Sequence, residues 1–106
     1  MYLLTAFSLN MLEELPIFVK FDEVTEEDVK YHLEHMKFVS AVAHESTAKL
    51  LTKRLGIEVQ FNRIDVRLKH GDEAFIAQLP RPKEGQIYSE EEVQSLSLKF
   101  IYVYVK

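Results

Sequence analysis

The stretch AVAHESTAKLL, residues 41–51, decides how this chain folds and where its chemistry can lie. Small apolar residues open it, a histidine, an acid and two hydroxyls follow, and apolar residues then return at helical spacing. This pattern predicts a helix whose first turn is His44 to Thr47 and whose last residue is near Leu55. Gly56 supplies the stop signal, because glycine is the common residue just past a helix end.

The first turn of this helix combines an anion site with polar side chains. A helix amino end offers unpaired backbone N–H groups and a positive dipole, both of which favour phosphate. His44, Ser46 and Thr47 would add a proton donor and two hydroxyls there. The competing interpretation is that the hydroxyls are ordinary helix caps and the histidine is a surface residue. On this segment alone, the competing interpretation is the stronger one.

Composition predicts one globular domain over residues 1–106. The chain has a mass of 12.4 kDa, with 47% apolar and 28% charged residues, which is typical of small globular proteins. The absence of cysteine excludes disulfides, thiolate chemistry and cysteine-ligated zinc. We find no apolar run of bilayer length and no signal peptide, so we expect no membrane partner. The expected location is the cytoplasm, which would be the host cytoplasm for a viral protein.

Charge and histidine spacing narrow the possible ligands. The formal net charge of -4 argues against duplex nucleic acid as a partner, because duplex binding requires a dense basic face. A small anion held by a few arginines and backbone amides remains compatible with this charge. His32, Glu34 and His35 do not complete a metal ligand set, so we predict exposed histidines, no metal and no cofactor.

The remaining pattern predicts an α+β fold, a mixed β-sheet of about five to six strands flanked by helices. A hairpin loop is expected at residues 69–72, and the last strand should have both faces covered. Thr25, with Asp28 three residues later, marks the start of a second helix. The predicted strands are residues 2–4, 17–21, 57–61, 64–68, 74–79 and 99–105. Short helices are predicted before Pro16 and from Ser89 through Leu96.

Two loops leave alternatives open. Ser8 and Asn10 are capping residue types, so they could form a capped turn or could face a ligand at a strand end. The stretch PRPKEG, residues 80–85, holds an arginine and a glutamate in a proline-stiffened loop, which suits a catalytic rim. Its alternative is a proline-rich connector with solvated charges.

Four segments in register resemble the small viral ring nucleases that act as type III anti-CRISPR proteins. AFSLNML at residues 6–12 resembles the family's A-F-S-x-N-M-L, and HEST at 44–47 resembles its G-H-x-S-T. NRI at 62–64 resembles its N-R-V, and RPKEG at 81–85 resembles its R-x-x-E-G. The order and spacing match over nearly the whole chain. This sequence departs from the family pattern at Thr5, Ala43 and Pro80.

The resemblance implies a homodimer that binds cyclic tetra-adenylate across its interface and cleaves it without metal to linear di-adenylate. By motif, it implies a catalytic acid at His44, supported by Arg81 and Glu84. The residues expected to contact the ring are Ser8, Asn10, Ser46, Thr47, Arg63 and Arg81. The C-terminal strand and the central helix are both candidate interface elements. Two alternatives remain, a non-catalytic protein that sequesters the ring and a small viral or mobile-element interaction protein.

Overall fold

The computed structural model describes residues 1–80 and 90–106, with the backbone alone at residue 90. Its strands are β1 (Tyr2–Leu4), β2 (Val19–Val24), β3 (Val39–Ser40), β4 (Glu73–Gln78) and β5 (Lys99–Val105). Its helices are α1 (Glu26–His35), α2 (Glu45–Leu55) and α3 (Glu90–Ser95), with a 3-10 turn at Leu9–Met11. The predicted α+β class with a mixed sheet is confirmed, with five strands in the described part of the chain.

The five strands form one sheet in the order β2-β5-β4-β1-β3. β1 lies parallel to both β3 and β4, whereas β5 lies antiparallel to β4 and β2. Parallel neighbours end at the same edge of a sheet. We therefore call the edge marked by Leu4, Ser40 and Gln78 the carboxyl edge.

The sheet separates two apolar cores. On the helical face, Leu3 and Phe100 pack with Leu51 and Leu55 of α2. On the other face, Val103 and its neighbours pack against the chain that precedes β4, in a cluster that contains Leu4, Val66, Leu68, Ala74, Ile76 and Val105. Each fully buried leucine contributes about 1.5–3 kcal/mol. The prediction that both faces of the last strand, β5, are covered is confirmed.

The helix boundaries follow local signals. The side chain of Thr25 accepts a hydrogen bond from the backbone N–H of Asp28 at 3.1 Å, as expected of a capping residue at the start of α1. α2 ends at Leu55, and the Gly56 that follows has a φ of +69°, the left-handed conformation that glycine adopts readily. Among the described residues, no helix is both long and apolar enough to cross a membrane.

The chain between α2 and β4 differs from the prediction. Residues 57–61 and 64–68 form no strands, and each contributes a single bridge, Phe61 to Val42 and Leu68 to Leu12. Both sides of β1 are occupied by β3 and β4, so this segment packs on the sheet face through Val66 and Leu68. The predicted hairpin is therefore wrong, although a turn does form at residues 69–72, where Asp72 accepts from the backbone N–H of Lys69.

The chain between β1 and β2 also differs. The helix predicted before Pro16 is only the 3-10 turn Leu9–Met11. The second strand covers Val19–Val24 instead of residues 17–21, because six consecutive pairs with β5 fix its register, from Val19 opposite Val105 to Val24 opposite Phe100.

Candidate functional site

Three connections that carry predicted site residues leave the sheet at the carboxyl edge. The chain after β1 leads to Ser8 and Asn10, and the chain after β3 leads to His44. The chain after β4 reaches Pro80, beyond which Arg81 and Glu84 lie outside the described residues. Ligands of α/β sheets commonly bind where the carboxyl ends of parallel strands meet. The predicted site residues in the described chain therefore follow strands that end at this edge.

His44 occupies the cap position of α2. Its backbone is extended, with φ -127° and ψ 129°, and its carbonyl accepts the first helical hydrogen bond, from Ala48 N–H at 3.0 Å. The imidazole is exposed and makes no capping hydrogen bond within the described chain. His44 therefore places its ring beside the amino end of α2 without satisfying the N–H groups there.

The first turn of α2 carries both predicted hydroxyls. Ser46 is exposed and Thr47 is half-buried. Glu45 in the same turn pairs with Lys49 one turn later, at 3.6 Å between exposed groups. That pairing offsets part of the negative charge that Glu45 brings to a position otherwise suited to an anion.

A bridge beside β3 places the chain that continues to Arg63 next to the chain that continues to His44. Val42 and Phe61 form a parallel bridge, and the backbone N–H of Asn62 donates to the carbonyl of Val42 at 2.9 Å. Since the two chains run in the same direction there, two further residues lead to His44 on one chain and to Arg63 on the other. Arg63 is exposed, as a residue that contacts a ligand must be.

The loop after β1 is a capped turn. Ser8 accepts a hydrogen bond from Asn10 N–H at 3.3 Å, as in the capping alternative, and its exposed hydroxyl still has a hydrogen to donate to a ligand. Arg67 donates to the Asn10 carbonyl at 2.9 Å, and Leu68 N–H donates to the Met11 carbonyl at 2.6 Å. These contacts fix the backbone of the loop, and the side chain of Asn10 is exposed.

The histidines outside this edge lie in other surroundings. His32 and His35 are exposed on α1, and each ring bonds through Nδ1 to a backbone carbonyl four residues back. His70 lies in the turn before β4, with Nε2 3.4 Å from the carboxylate of Glu14. Within the ranges 1–80 and 90–106, no group of three or more His, Asp or Glu side chains could hold a metal ion.

Sequence reasoning missed the residues that hold the edge together. Asn62 and Ser40 tie the chain after α2 to β3, and Arg67 ties the loop after β1 to residues 65–68. One signal in the sequence could have indicated this role for Asn62. It has hydrogen-bond donor and acceptor groups, and it directly precedes Arg63, a candidate ligand-binding residue.

Comparisons with known proteins agree with this architecture. The structure resembles B116 of Sulfolobus turreted icosahedral virus (STIV), with a TM-score of 0.81, 33% sequence identity and 97% coverage of both chains. In sequence, the chain is 35% identical to Uncharacterized protein 26 of Sulfolobus islandicus filamentous virus, over 82% of this chain and 75% of that protein. It is 34% identical to Uncharacterized protein ORF116 of Acidianus filamentous virus 1, over 90% and 83% of the two chains.

These relatives are proteins of viruses, and the sequence profile of the STIV B116-like family matches residues 1–100. The match covers all of the described strands and helices except the last five residues of β5. The chain belongs to the STIV B116-like family.

Proposed function

We propose that this protein is a metal-independent ring nuclease that binds cyclic tetra-adenylate and cleaves it to linear di-adenylate, which shuts off type III CRISPR signalling. The observation that supports this most is the position of His44, whose exposed imidazole lies at the amino end of an 11-residue helix. The parallel bridge of Val42 with Phe61 lies two residues before both His44 and Arg63, and we assign the Arg63 guanidinium to the same site. A proton donor, free backbone amides and a guanidinium are the groups that phosphodiester cleavage uses.

The chemistry follows from the substrate. In an RNA phosphodiester the neighbouring 2′-hydroxyl gives its proton to solvent as its oxygen attacks phosphorus, the bond from phosphorus to the 5′-oxygen breaks, and a 2′,3′-cyclic phosphate forms. Because the nucleophile belongs to the substrate, the protein needs to align it, stabilise the added negative charge and protonate the leaving oxygen. Protonated His44 is the donor to the 5′-oxygen, since imidazole is the side chain suited to proton transfer near neutral pH.

The other predicted residues have matching roles in this proposal. The first-turn N–H groups of α2, with Ser46 and Thr47, bind the scissile phosphate, and Arg63 pairs with a phosphate oxygen. Ser8 and Asn10 contact the ring from the loop after β1. Arg81 and Glu84 support binding and catalysis, as the family resemblance implies.

The proposed active form is a homodimer, because two copies of His44 match a ring whose chemistry repeats. Of the two interface elements predicted, the C-terminal strand β5 has both edges occupied by β2 and β4, so a second copy could not extend the sheet at β5. The central helix α2 carries His44 at its amino end, so an interface on this helix would bring both copies of His44 to one ring.

The test is incubation of the purified protein with cyclic tetra-adenylate in excess chelator, followed by separation of the products. Linear di-adenylate is the expected product. A strict requirement for added metal would contradict the mechanism. Binding without product at saturating protein would identify a sequestering protein instead, and failure to bind any adenylate ring in calorimetry would favour an interaction protein.

A further inference from the structure

We propose that Asn62 is a positioning residue, which sets the place of Arg63 relative to His44. The inference rests on the proposed function, because its consequence is the capture of a phosphate between the two side chains. Asn62 touches no reacting atom in this proposal, and it acts through the backbone of its neighbours.

The contacts of Asn62 join two chain segments 22 residues apart. Its side-chain Nδ2 donates to the carbonyl of Ser40 at 2.6 Å, and its backbone N–H donates to the carbonyl of Val42 at 2.9 Å. Ser40 reciprocates, since its hydroxyl donates to the carbonyl of Gln60 at 2.6 Å and accepts from Val42 N–H at 3.4 Å. Ser40 is only 7% exposed, so these hydrogen bonds lie in a site where water competes little.

This link is needed because ordinary sheet pairing is almost absent here. β3 is two residues long, and one isolated bridge joins the chain after α2 to it. A single bridge fixes register weakly, and a slip by one residue turns each side chain to the opposite side. The amide of Asn62 supplies a second constraint one residue before Arg63, which fixes the direction in which the Arg63 side chain leaves the backbone.

The chemistry of the contact specifies asparagine. A carbonyl oxygen accepts hydrogen bonds, so the Ser40 carbonyl needs a donor, which the amide NH₂ provides. Asn62→Asp keeps the shape and replaces the donor with a carboxylate oxygen that faces the same carbonyl. Asn62→Ala removes the donor without introducing that repulsion, so it provides a second, milder variant.

A double-mutant cycle on affinity for cyclic tetra-adenylate, measured by calorimetry, tests the proposal. Arg63→Ala should weaken binding about tenfold or more, as expected for loss of a charged hydrogen bond. Asn62→Asp and Asn62→Ala should each weaken it by a similar factor. In the Arg63→Ala background, the same two changes should weaken the affinity by less than about a further twofold. The contribution of Arg63 is already lost there, so its displacement costs nothing more.

Thr52→Val is the matched control. The hydroxyl of Thr52 makes comparable contacts just upstream. It accepts from Val59 N–H at 2.9 Å, and its one hydrogen is shared between the carbonyls of Ala48 at 2.8 Å and Val59 at 3.1 Å. Its loss should lower the melting temperature and leave the affinity within about twofold of the parent. If the role of Asn62 is purely structural, its variants should behave like Thr52→Val, with a lower melting temperature and an unchanged affinity.

Two results would overturn the positioning role while the proposed function stands. One is additive effects of the Asn62 and Arg63 changes, and the other is unchanged affinity in both Asn62 variants, each with binding by the parent intact. Failure of the parent protein to bind the ring would overturn the proposed function and, with it, this inference.

Discussion

Nε of Arg54 lies 2.7 Å from Oε1 of Glu26, which joins the last turn of α2 to the first turn of α1. Nη1 of the same guanidinium donates to the carbonyls of Val93 and Leu96 at 2.9 and 2.5 Å, at the end of α3. The positive group therefore lies at two helix carboxyl ends and the negative group at a helix amino end, as the helix dipoles favour.

We expect Arg54→Ala to lower the free energy of unfolding by about 2–3 kcal/mol, because it leaves Glu26 and two carbonyls without their partner. The side chains of Arg54 and Glu26 are 15% and 31% exposed, so the loss should fall below that of a fully buried pair. The melting temperature should decrease by roughly 10 °C.

Glu26→Gln is the matched variant for this prediction. It removes the ion pair and keeps the guanidinium bonds to α3, so we expect a loss of about 1 kcal/mol or less. Chemical denaturation of both variants measures the difference. Equal losses would show that the ion pair, and not the contact with α3, dominates.

Tyr102 predicts how stability depends on alkaline pH. Burial, followed by the hydrogen bond that its hydroxyl donates to Glu73 at 2.8 Å, raises the pKa of Tyr102 from 10.0 to about 12. In the unfolded chain this tyrosine ionises near 10, while in the folded chain it stays neutral. Its contribution to stability is therefore complete below pH 10 and is lost as the pH rises to about 12.

Denaturation of the parent and of Tyr102→Phe between pH 9 and pH 12 checks this behaviour. The parent should lose stability relative to the variant over the upper part of that range. Glu73→Gln should lower the pKa of Tyr102, because the neighbouring carboxylate is gone, yet keep it above the ordinary value, because burial remains. A parent and a Tyr102→Phe variant with parallel pH profiles would contradict the assignment.

Helix α2 and strand β5 could be predicted because their signals are local. The small residues before His44 and the glycine after Leu55 act within one helical turn, and they bound α2 as expected. The alternating residues of β5 belong to a strand with neighbours on both sides, so the pattern and the pairing agree.

Residues 57–68 could not be predicted in the same way. Their apolar alternation satisfies a strand and a face-packed segment equally well, and the outcome depends on which strands already flank β1. The tie between Asn62 and Ser40 spans 22 residues, so no local pattern encodes it. For the candidate site, sequence therefore predicts the types of side chain, whereas the arrangement of β3 and the bridge after it determines which of them approach each other.

His44→Ala tests the chemistry itself. Loss of the general acid should lower the single-turnover rate of ring cleavage by about 10²-fold or more, because the 5′-oxygen must then leave without a positioned proton. Binding should survive, since the first-turn N–H groups of α2 do not depend on the imidazole. Rapid-quench cleavage at saturating protein, with calorimetry on the same variant, separates the two effects.

His35→Ala is the control for loss of a histidine. His35 lies in the last turn of α1, where its ring stacks on Tyr31 at a centroid distance of 4.2 Å and bonds to a backbone carbonyl. Its removal should leave cleavage at the parent rate. Cleavage by His44→Ala at the parent rate would show that His44 is not the general acid. Equal losses of binding and cleavage would show that the imidazole binds the ring. A group that acts only in the transition state changes the rate and leaves the affinity intact.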